Sequence, residues 1–316
     1  MNILEKISKI FKKNKVDDLI AITSFFNPSN YKNKKQNFIK FRDNLRKQGV
    51  PLLVVECAFG DSDYEIEKED AEIVIRVRSN SRIWQKERLL NIALENIPKQ
   101  YTKFASLDCD IIFKNNNWAI QTSKLLDKYP VVQPFEYAIR LNKDQLDAME
   151  PVEFGPNNGQ RIHCLVKAMN GSGKKFIYGL GKRGTTGFAW AFRKDAFPYF
   201  YDGLIVGSGD SVMAHAFYGI HHLWWKSNLN MINHQKEYID KIYKIVKGNV
   251  GFSKGTILHL WHGERKDRAH NERYKILLKK DYNPYEDLTL NKHGCWEVRK
   301  DIEQAISNYF NKRKEE

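Results

Sequence analysis

The chain of 316 residues contains only four cysteines, and they stand far apart in the sequence, at Cys57, Cys109, Cys164 and Cys295. A disulfide framework or a zinc knuckle needs clustered cysteines, so this spacing argues against both. No apolar run approaches the roughly 20 residues that cross a bilayer as a helix. The N-terminal residues do not follow a signal-peptide pattern, because lysines interrupt them every few positions. We therefore expect a cytoplasmic protein with reduced thiols.

Acidic residues are scarce relative to basic ones: 38 Asp and Glu oppose 52 Lys and Arg, which gives a formal net charge of +14. Such an excess favours anionic partners, among them nucleotide diphosphates, nucleic acid and an anionic membrane surface. A solvated, lysine-rich surface without any specific partner explains the same charge. The net positive charge therefore favours anionic partners but does not show which of them, if any, the protein binds.

The first 17 residues form a basic amphipathic segment of their own. Within residues 1–15, apolar side chains recur at helical spacing with lysines between them. This pattern predicts a short helix that either makes peripheral contact with an anionic membrane or packs on its own domain.

From residue 18 onward the pattern changes to short apolar runs that alternate with amphipathic helical stretches. The runs predict buried strands at 19–26, 51–59, 72–77 and 103–113, and the stretches predict helices at 33–48 and 83–97. This order indicates an α/β/α sandwich with a mostly parallel central sheet. Ligands bind such sheets at the carboxyl ends of the strands. The loops after Phe26, Phe59 and Leu107 should therefore face one pocket.

The rest of the chain divides less sharply. Residues 151–186 are rich in Gly, Asn and Lys, which indicates an irregular segment that is either a lid or a surface excursion. We assign residues 18–280 to one domain, with a nucleotide-binding part at about 18–115 and an acceptor or catalytic part at about 130–280. A helical tail is predicted for residues 281–316.

Asp108 and Asp110 interrupt the apolar run at 103–113. Buried carboxylates are costly unless they are paired or bound to metal. Because residues i and i+2 of a strand point to one side, the two side chains can share a divalent ion. The alternative is a pair of carboxylates that cap a turn.

His259 and His262 follow the apolar residues 256–258. Imidazole suits manganese and later first-row ions better than magnesium or calcium. One histidine with the two aspartates would complete a mixed oxygen and nitrogen site, whereas the alternative is a pair of core histidines beside Trp261.

Asp210 lies among small residues in the stretch 207–211, where a substrate can approach the backbone closely. A carboxylate at such a place can act as a general base on a hydroxyl group. The helical run that follows makes a helix N-cap the competing interpretation.

These motifs, in this order, resemble the GT-A glycosyltransferases, most closely the inverting β-1,4-galactosyltransferase-like group. The resemblance is carried by Trp84–Asn91, Asp108–Asp110, Gly187–Ala191, Gly207–Asp210 and His259–His262. It covers roughly residues 18–280. The chain departs from the family in having one acidic residue where the family has a Glu-Asp pair, and histidine at 259 where the family has methionine.

The resemblance implies transfer of a sugar from a nucleoside diphosphate sugar, taken to be a UDP-sugar, to a saccharide or other hydroxyl acceptor with inversion. It implies Mn²⁺ or Mg²⁺ held by Asp110 and by His262 or His259, with Asp108 assisting, and Asp210 as the base. The residues assigned to the donor are Thr23, Ser24, Phe25, Trp84, Lys86, Arg88, Asp108 and Gly187.

Two other functions remain open from the sequence. One is a nucleic-acid or anionic-surface binding protein on an inactive transferase fold, and a nucleic-acid acceptor is likewise not excluded. The other is a nucleotidyltransferase, which also uses paired carboxylates and a metal. The glycine-rich basic loop that such enzymes carry after the first strand is replaced here by residues 23–30, TSFFNPSN.

Overall fold

A computed structural model describes residues 16–148, 152–155, 157–170, 184–221, 228–264 and 272–313. The predicted basic helix at 1–15 lies outside the described residues, as do residues 151, 156 and 171–183 of the glycine-rich segment. The helix at 1–15 and the role of a lid therefore stay predictions. Contrary to the prediction, the glycine-rich segment is not irregular throughout, because it contains a strand at Arg161–His163 and a helix at Leu165–Asn170. No helix in the described ranges is long and apolar enough to cross a membrane.

Thirteen strands and eight α-helices make up the described chain. The strands are β1 (Leu19–Phe26), β2 (Leu52–Phe59), β3 (Ile73–Ser79), β4 (Lys103–Leu107), β5 (Ile111–Phe113), β6 (Val131–Gln133), β7 (Tyr137–Arg140), β8 (Arg161–His163), β9 (Ala189–Arg193), β10 (Val250–Phe252), β11 (Thr256–His259), β12 (Leu288–Leu290) and β13 (Trp296–Val298). The helices are α1 (Lys32–Lys47), α2 (Lys86–Glu95), α3 (Trp118–Leu126), α4 (Leu165–Asn170), α5 (Gly209–Tyr218), α6 (Leu229–Val246), α7 (Glu272–Lys279) and α8 (Lys300–Lys312).

A seven-stranded sheet in the order β10-β6-β9-β4-β1-β2-β3 forms the centre of the fold. All its neighbouring strands run parallel except β9, which is antiparallel to β4 and β6. Every residue of β1 and β2 is buried, as expected for strands covered on both faces. The predicted α/β class with a mostly parallel central sheet is confirmed.

The run at 103–113, predicted as one strand, is two strands that belong to different sheets. β4 lies in the large sheet, whereas β5 pairs antiparallel with β11 in a second sheet of order β5-β11-β7-β8. Asp108, Cys109 and Asp110 lie between the two strands, because the chain turns there from one sheet into the other. The two aspartates therefore do not share one side of a strand, and that part of the prediction is wrong.

The main hydrophobic core is continuous across the predicted nucleotide-binding and acceptor parts. Helix α1 packs Phe38 against Phe25 of β1, with the ring centroids 5.5 Å apart. The C-terminal residues join the same core through Ile302, Ile306 and Phe310 of α8. Before α8 the chain forms an antiparallel hairpin of β12 and β13. The predicted helical tail is thus a hairpin followed by a helix, and both pack on the domain.

Candidate active site

A cleft of about 980 Å³ opens at the carboxyl ends of β1 and β4. This is the edge of a parallel sheet where ligands are expected. The loops after Phe26 and Leu107 both line it. Nine of the residues that the sequence marked as candidates also line it: Ser24, Trp84, Lys86, Asp108, Asp110, Gly187, Asp210, His259 and His262.

Two candidates on β1 do not reach the cleft. The Thr23 side chain is fully buried, and its hydroxyl donates to the Leu107 carbonyl over 2.7 Å. Phe25 is 1% exposed and packs on Phe38 instead. Successive side chains of a strand point to opposite faces, which is why Ser24 alone of the three faces the cleft.

Arg88 also lies outside the cleft. Its Nε donates to the Gly294 carbonyl over 2.7 Å, its guanidinium lies 3.5 Å from the Asp202 carboxylate, and it stacks over Trp296. It therefore ties α2 to the C-terminal hairpin. The loop after Phe59, predicted to face the same pocket, lines a separate cavity of about 230 Å³.

Asp110, His259 and His262 form a cluster in which one ligand atom from each lies within 4.8 Å of the others. Pairing of β11 with β5 puts His259 opposite Ile111, next to Asp110. The His259 and His262 Nε2 atoms are 3.2 Å apart, and they lie 3.6 Å and 3.4 Å from Asp110 Oδ2. Ligands at about 2.1 Å from one ion stand about 3.0 Å apart at an angle of about 90° and about 3.6 Å apart at about 120°, so these three atoms fit a single divalent ion.

Asp108 belongs to a different part of the cleft from this cluster. One carboxylate oxygen pairs with the Lys86 ammonium, and the other accepts the Phe188 backbone N–H over 3.1 Å. Burial raises the pKa of Asp108, Lys86 opposes that shift, and Asp110 adds to it. The backbone of Phe188, whose N–H donates to Asp108, has a positive φ of 79°. A residue other than glycine adopts this conformation only when its surroundings impose it.

Asp210 lies in the first turn of α5, where Ser208, and not Asp210, is the cap residue. Its Oδ2 accepts the Thr186 hydroxyl over 3.2 Å. A Cβ on Gly187 would stand 3.1 Å from the same oxygen, so the glycine leaves room for this carboxylate. Asp210 is thus fixed in direction with its carboxylate at the cleft wall.

Glu87 is a cleft residue that the sequence did not single out. It is 5% exposed and lines the cleft beside Lys86. Burial raises its pKa to about 7; Lys86 opposes the rise, and Asp210 and Asp108 add to it. A charged position in the first turn of an amphipathic helix is usually solvated, so the sequence carried no signal of its burial.

Another part of the cleft lining is aromatic and basic. The Phe26 and Trp84 rings lie 5.3 Å apart, edge to face. Lys34 Nζ is 4.4 Å from the Phe26 ring centroid, and Arg313 is 5.8 Å from that of Trp84. Lys34 and Arg313 were not predicted, because they come from α1 and from the end of α8, far apart in sequence. Arg140 and Arg273 also line the cleft.

Neither a protein-family model nor a curated protein matches the chain. Solved structures that resemble it include glycosyltransferases of the GT-A type and a 4-diphosphocytidyl-2C-methyl-D-erythritol synthase from Anaerococcus prevotii. S. aureus TarS 1-349 in complex with UDP-GlcNAc is 12% identical over 93% of this chain and 72% of that chain, with a TM-score of 0.40. The catalytic domain of Drosophila β1,4-galactosyltransferase 7 in complex with xylobiose is 12% identical over 76% and 65%, with a TM-score of 0.32.

Glucosyl-3-phosphoglycerate synthase from Mycobacterium tuberculosis, in complex with Mg²⁺ and UDP, is 9% identical over 95% of this chain and 92% of that chain, with a TM-score of 0.39. Against a longer S. aureus TarS structure, the chain spans 32% of that protein's length. At these identities and TM-scores the similarities supply no argument about activity. Function has to be inferred from the residues of the cleft.

Proposed function

We propose that the protein is a metal-dependent glycosyltransferase that moves a sugar from a UDP-sugar to a hydroxyl acceptor with inversion. The observation that carries the proposal is the joint presence, in one cleft, of the Asp110, His259 and His262 cluster and of the separate carboxylate of Asp210. A metal site and a separate, fixed base in one cleft are what single-displacement sugar transfer requires.

The three clustered side chains fit Mn²⁺ better than Mg²⁺, because two of the three donors are imidazoles. Asp110, His259 and His262 would hold the ion, and the remaining positions would go to phosphate oxygens and water. When bound, the ion supplies positive charge that stabilises the departing diphosphate. Asp108, which is paired with Lys86, would lie near this ion and assist the site without being one of its main ligands.

The aromatic and basic part of the cleft would receive the nucleoside diphosphate. The Trp84 and Phe26 rings offer apolar faces for a nucleobase, and Lys34 lies over the Phe26 ring. Lys34 and Lys86, which both line the cleft, would serve as diphosphate partners. The choice of uridine follows from the resemblance in sequence.

Asp210 would take the proton of the acceptor hydroxyl as its oxygen attacks the anomeric carbon. The new carbon–oxygen bond forms on the face of the anomeric carbon opposite its bond to the diphosphate. That bond breaks, and the diphosphate leaves with the electron pair. One displacement inverts the anomeric configuration. The hydrogen bond from Thr186 keeps the Asp210 carboxylate aimed into the cleft during this step.

A thermal-shift screen of nucleotide sugars with Mn²⁺, with Mg²⁺ and with EDTA tests the proposal. We expect a rise in Tm for a UDP-sugar that requires the metal, since a ligand stabilises only the state that it binds. With that sugar as donor, UDP release is then measured, and NMR gives the anomeric configuration of the product. Undiminished turnover of Asp110→Ala in EDTA would refute the metal assignment, and a retained configuration would remove Asp210 from the role of base.

A further inference from the structure

The unpredicted carboxyl group of Glu87 comes from the first turn of α2 and lies in the wall of the cleft near the N-terminus of α5. Its side chain is almost entirely buried at 5% exposure. Asp210 lines the same cleft, and its charge acts on Glu87. Two carboxyl groups from different helices thus occupy neighbouring parts of one wall.

The position of the Glu87 side chain explains why a glycine, Gly209, stands at the start of α5. A Cβ on Gly209 would lie 2.5 Å from Cγ, 2.6 Å from Cδ and 2.7 Å from Oε1 of Glu87, which are impossible contacts. The backbone of Gly209 lies outside the left-handed region, so its φ angle does not require glycine. The Glu87 side chain therefore occupies the space that a side chain immediately before Asp210 would need.

The placement of Glu87 is electrostatically unfavourable on its own. Lys86 favours its charged form, but burial, Asp210 and Asp108 all oppose it. Burying a carboxyl group in an acidic wall weakens a fold, and buried carboxyl groups with shifted pKa values in clefts are concentrated at functional sites. The cleft face of this wall is where the acceptor must meet Asp210.

We propose that Glu87 and Asp210 together form the acceptor subsite, in which Glu87 binds a second hydroxyl of the acceptor beside the hydroxyl that Asp210 deprotonates. This inference rests on the proposed function and deepens it. The acceptor is then a polyol with two neighbouring free hydroxyls, such as a sugar ring or an alditol, and it is uncharged at that position because the two carboxyl groups repel an anion.

The rates of sugar transfer to two small alcohols, measured in separate reactions, test this subsite. The full chain is supplied with Mn²⁺ and the UDP-sugar that it hydrolyses, together with either glycerol, which has adjacent hydroxyls, or 1-propanol, which has one. We expect the wild type to glycosylate glycerol at least tenfold faster than 1-propanol. Glu87→Ala should reduce this preference at least fivefold, and Glu87→Gln, which keeps the side-chain volume, should give an intermediate value.

Two further variants separate a binding role from a structural one. Glu95→Gln removes a largely exposed carboxylate at the other end of the same helix and should keep the wild-type preference. In the double variant Glu87→Ala with Gly209→Asp, a carboxylate returns to the same part of the wall from α5. We expect the preference of this double variant for glycerol over 1-propanol to be at least threefold higher than that of Glu87→Ala.

Three results would overturn the Glu87 assignment while UDP release by the wild type upholds the proposed function. The first is a wild type without preference for glycerol. The second is a Glu87→Ala variant with the wild-type preference. The third is a double variant that regains no preference although its Tm equals or exceeds that of Glu87→Ala. Absence of UDP release by the wild type with every nucleotide sugar would instead overturn the proposed function, and this inference with it.

Discussion

Nε2 of His262 lies 3.4 Å from Oδ2 of Asp110, although the two residues belong to segments far apart in the chain. The contact exists because β5, directly after Asp110, pairs with β11, which ends at His259. His259 is 6% exposed and packs on the Phe188 ring, so one side of the cluster is fixed by the core. Such a prearranged set of donors binds an ion without first reorganising the chain.

The first prediction concerns the cluster itself. Asp110→Asn and His262→Ala each remove one of three donors, and we expect each to weaken Mn²⁺ binding by at least the roughly 10–100-fold that loss of an outer-shell partner costs. Titration followed by the electron paramagnetic resonance of free Mn²⁺ measures this without any substrate. His221→Ala is the matched control, because His221 pairs with Asp240 outside the cleft. Equal affinity in all three variants would contradict the site.

The second prediction is a pH dependence of stability that comes from Glu87. Its pKa rises from 4.5 unfolded to about 7 folded, so the folded state binds more protons between these values and stability falls as pH increases through them. Glu87→Gln removes this loss. In EDTA we expect the variant to match the wild type near pH 4.5 and to be more stable by up to about 3 kcal/mol at pH 8.

Urea unfolding at a series of pH values measures this difference. Glu95→Gln, with its largely exposed side chain, serves as the control and should show the pH dependence of the wild type. A difference between Glu87→Gln and wild type that stays constant with pH would show that Glu87 titrates in the folded state as it does in the unfolded state.

The third prediction concerns the ion pair between Lys86 and Asp108 in the cleft. Lys86→Met leaves the Asp108 carboxylate among other acidic groups, and we expect it to lower the free energy of unfolding by about 3 kcal/mol. Adding Asp108→Asn should restore part of this loss, because it removes the uncompensated charge. A double-mutant cycle from denaturant unfolding isolates the coupling, and strict additivity of the two changes would contradict a direct pair.

The fourth prediction separates Arg88 from the donor site. Arg88→Met leaves the Asp202 carboxylate, whose side chain is only 16% exposed, without its cation, and we expect a loss of about 3 kcal/mol in the free energy of unfolding. Affinity for UDP in the presence of Mn²⁺, measured by calorimetry, should remain that of the wild type. A Lys86→Met variant, by contrast, should lose UDP affinity. Weaker UDP binding by Arg88→Met would return Arg88 to the donor contacts that the sequence resemblance assigns to it.

The sequence by itself determined the strands and helices between residues 19 and 97. β1 has the predicted bounds, and β2 and α1 differ from theirs by one residue at the ends. Apolar runs and helical periodicity are local properties, and burial on both faces of a parallel sheet leaves them visible along the chain. The same local pattern placed Asp108 and Asp110 at the end of a strand, where a cleft forms.

The resemblance in sequence grouped Asp110 with His259 or His262, but only the tertiary structure brings the three side chains together and sets Asp108 apart. An apolar run cannot show that the chain passes from one sheet to another at Cys109, so only strand pairing brings Asp110 to His259 and His262 and separates Asp108 from them. Likewise, a glutamate on an amphipathic helix has the same sequence signature whether it faces solvent or a neighbouring helix. Glu87 faces α5 because of how α2 packs, and packing between distant segments leaves no local pattern in the sequence.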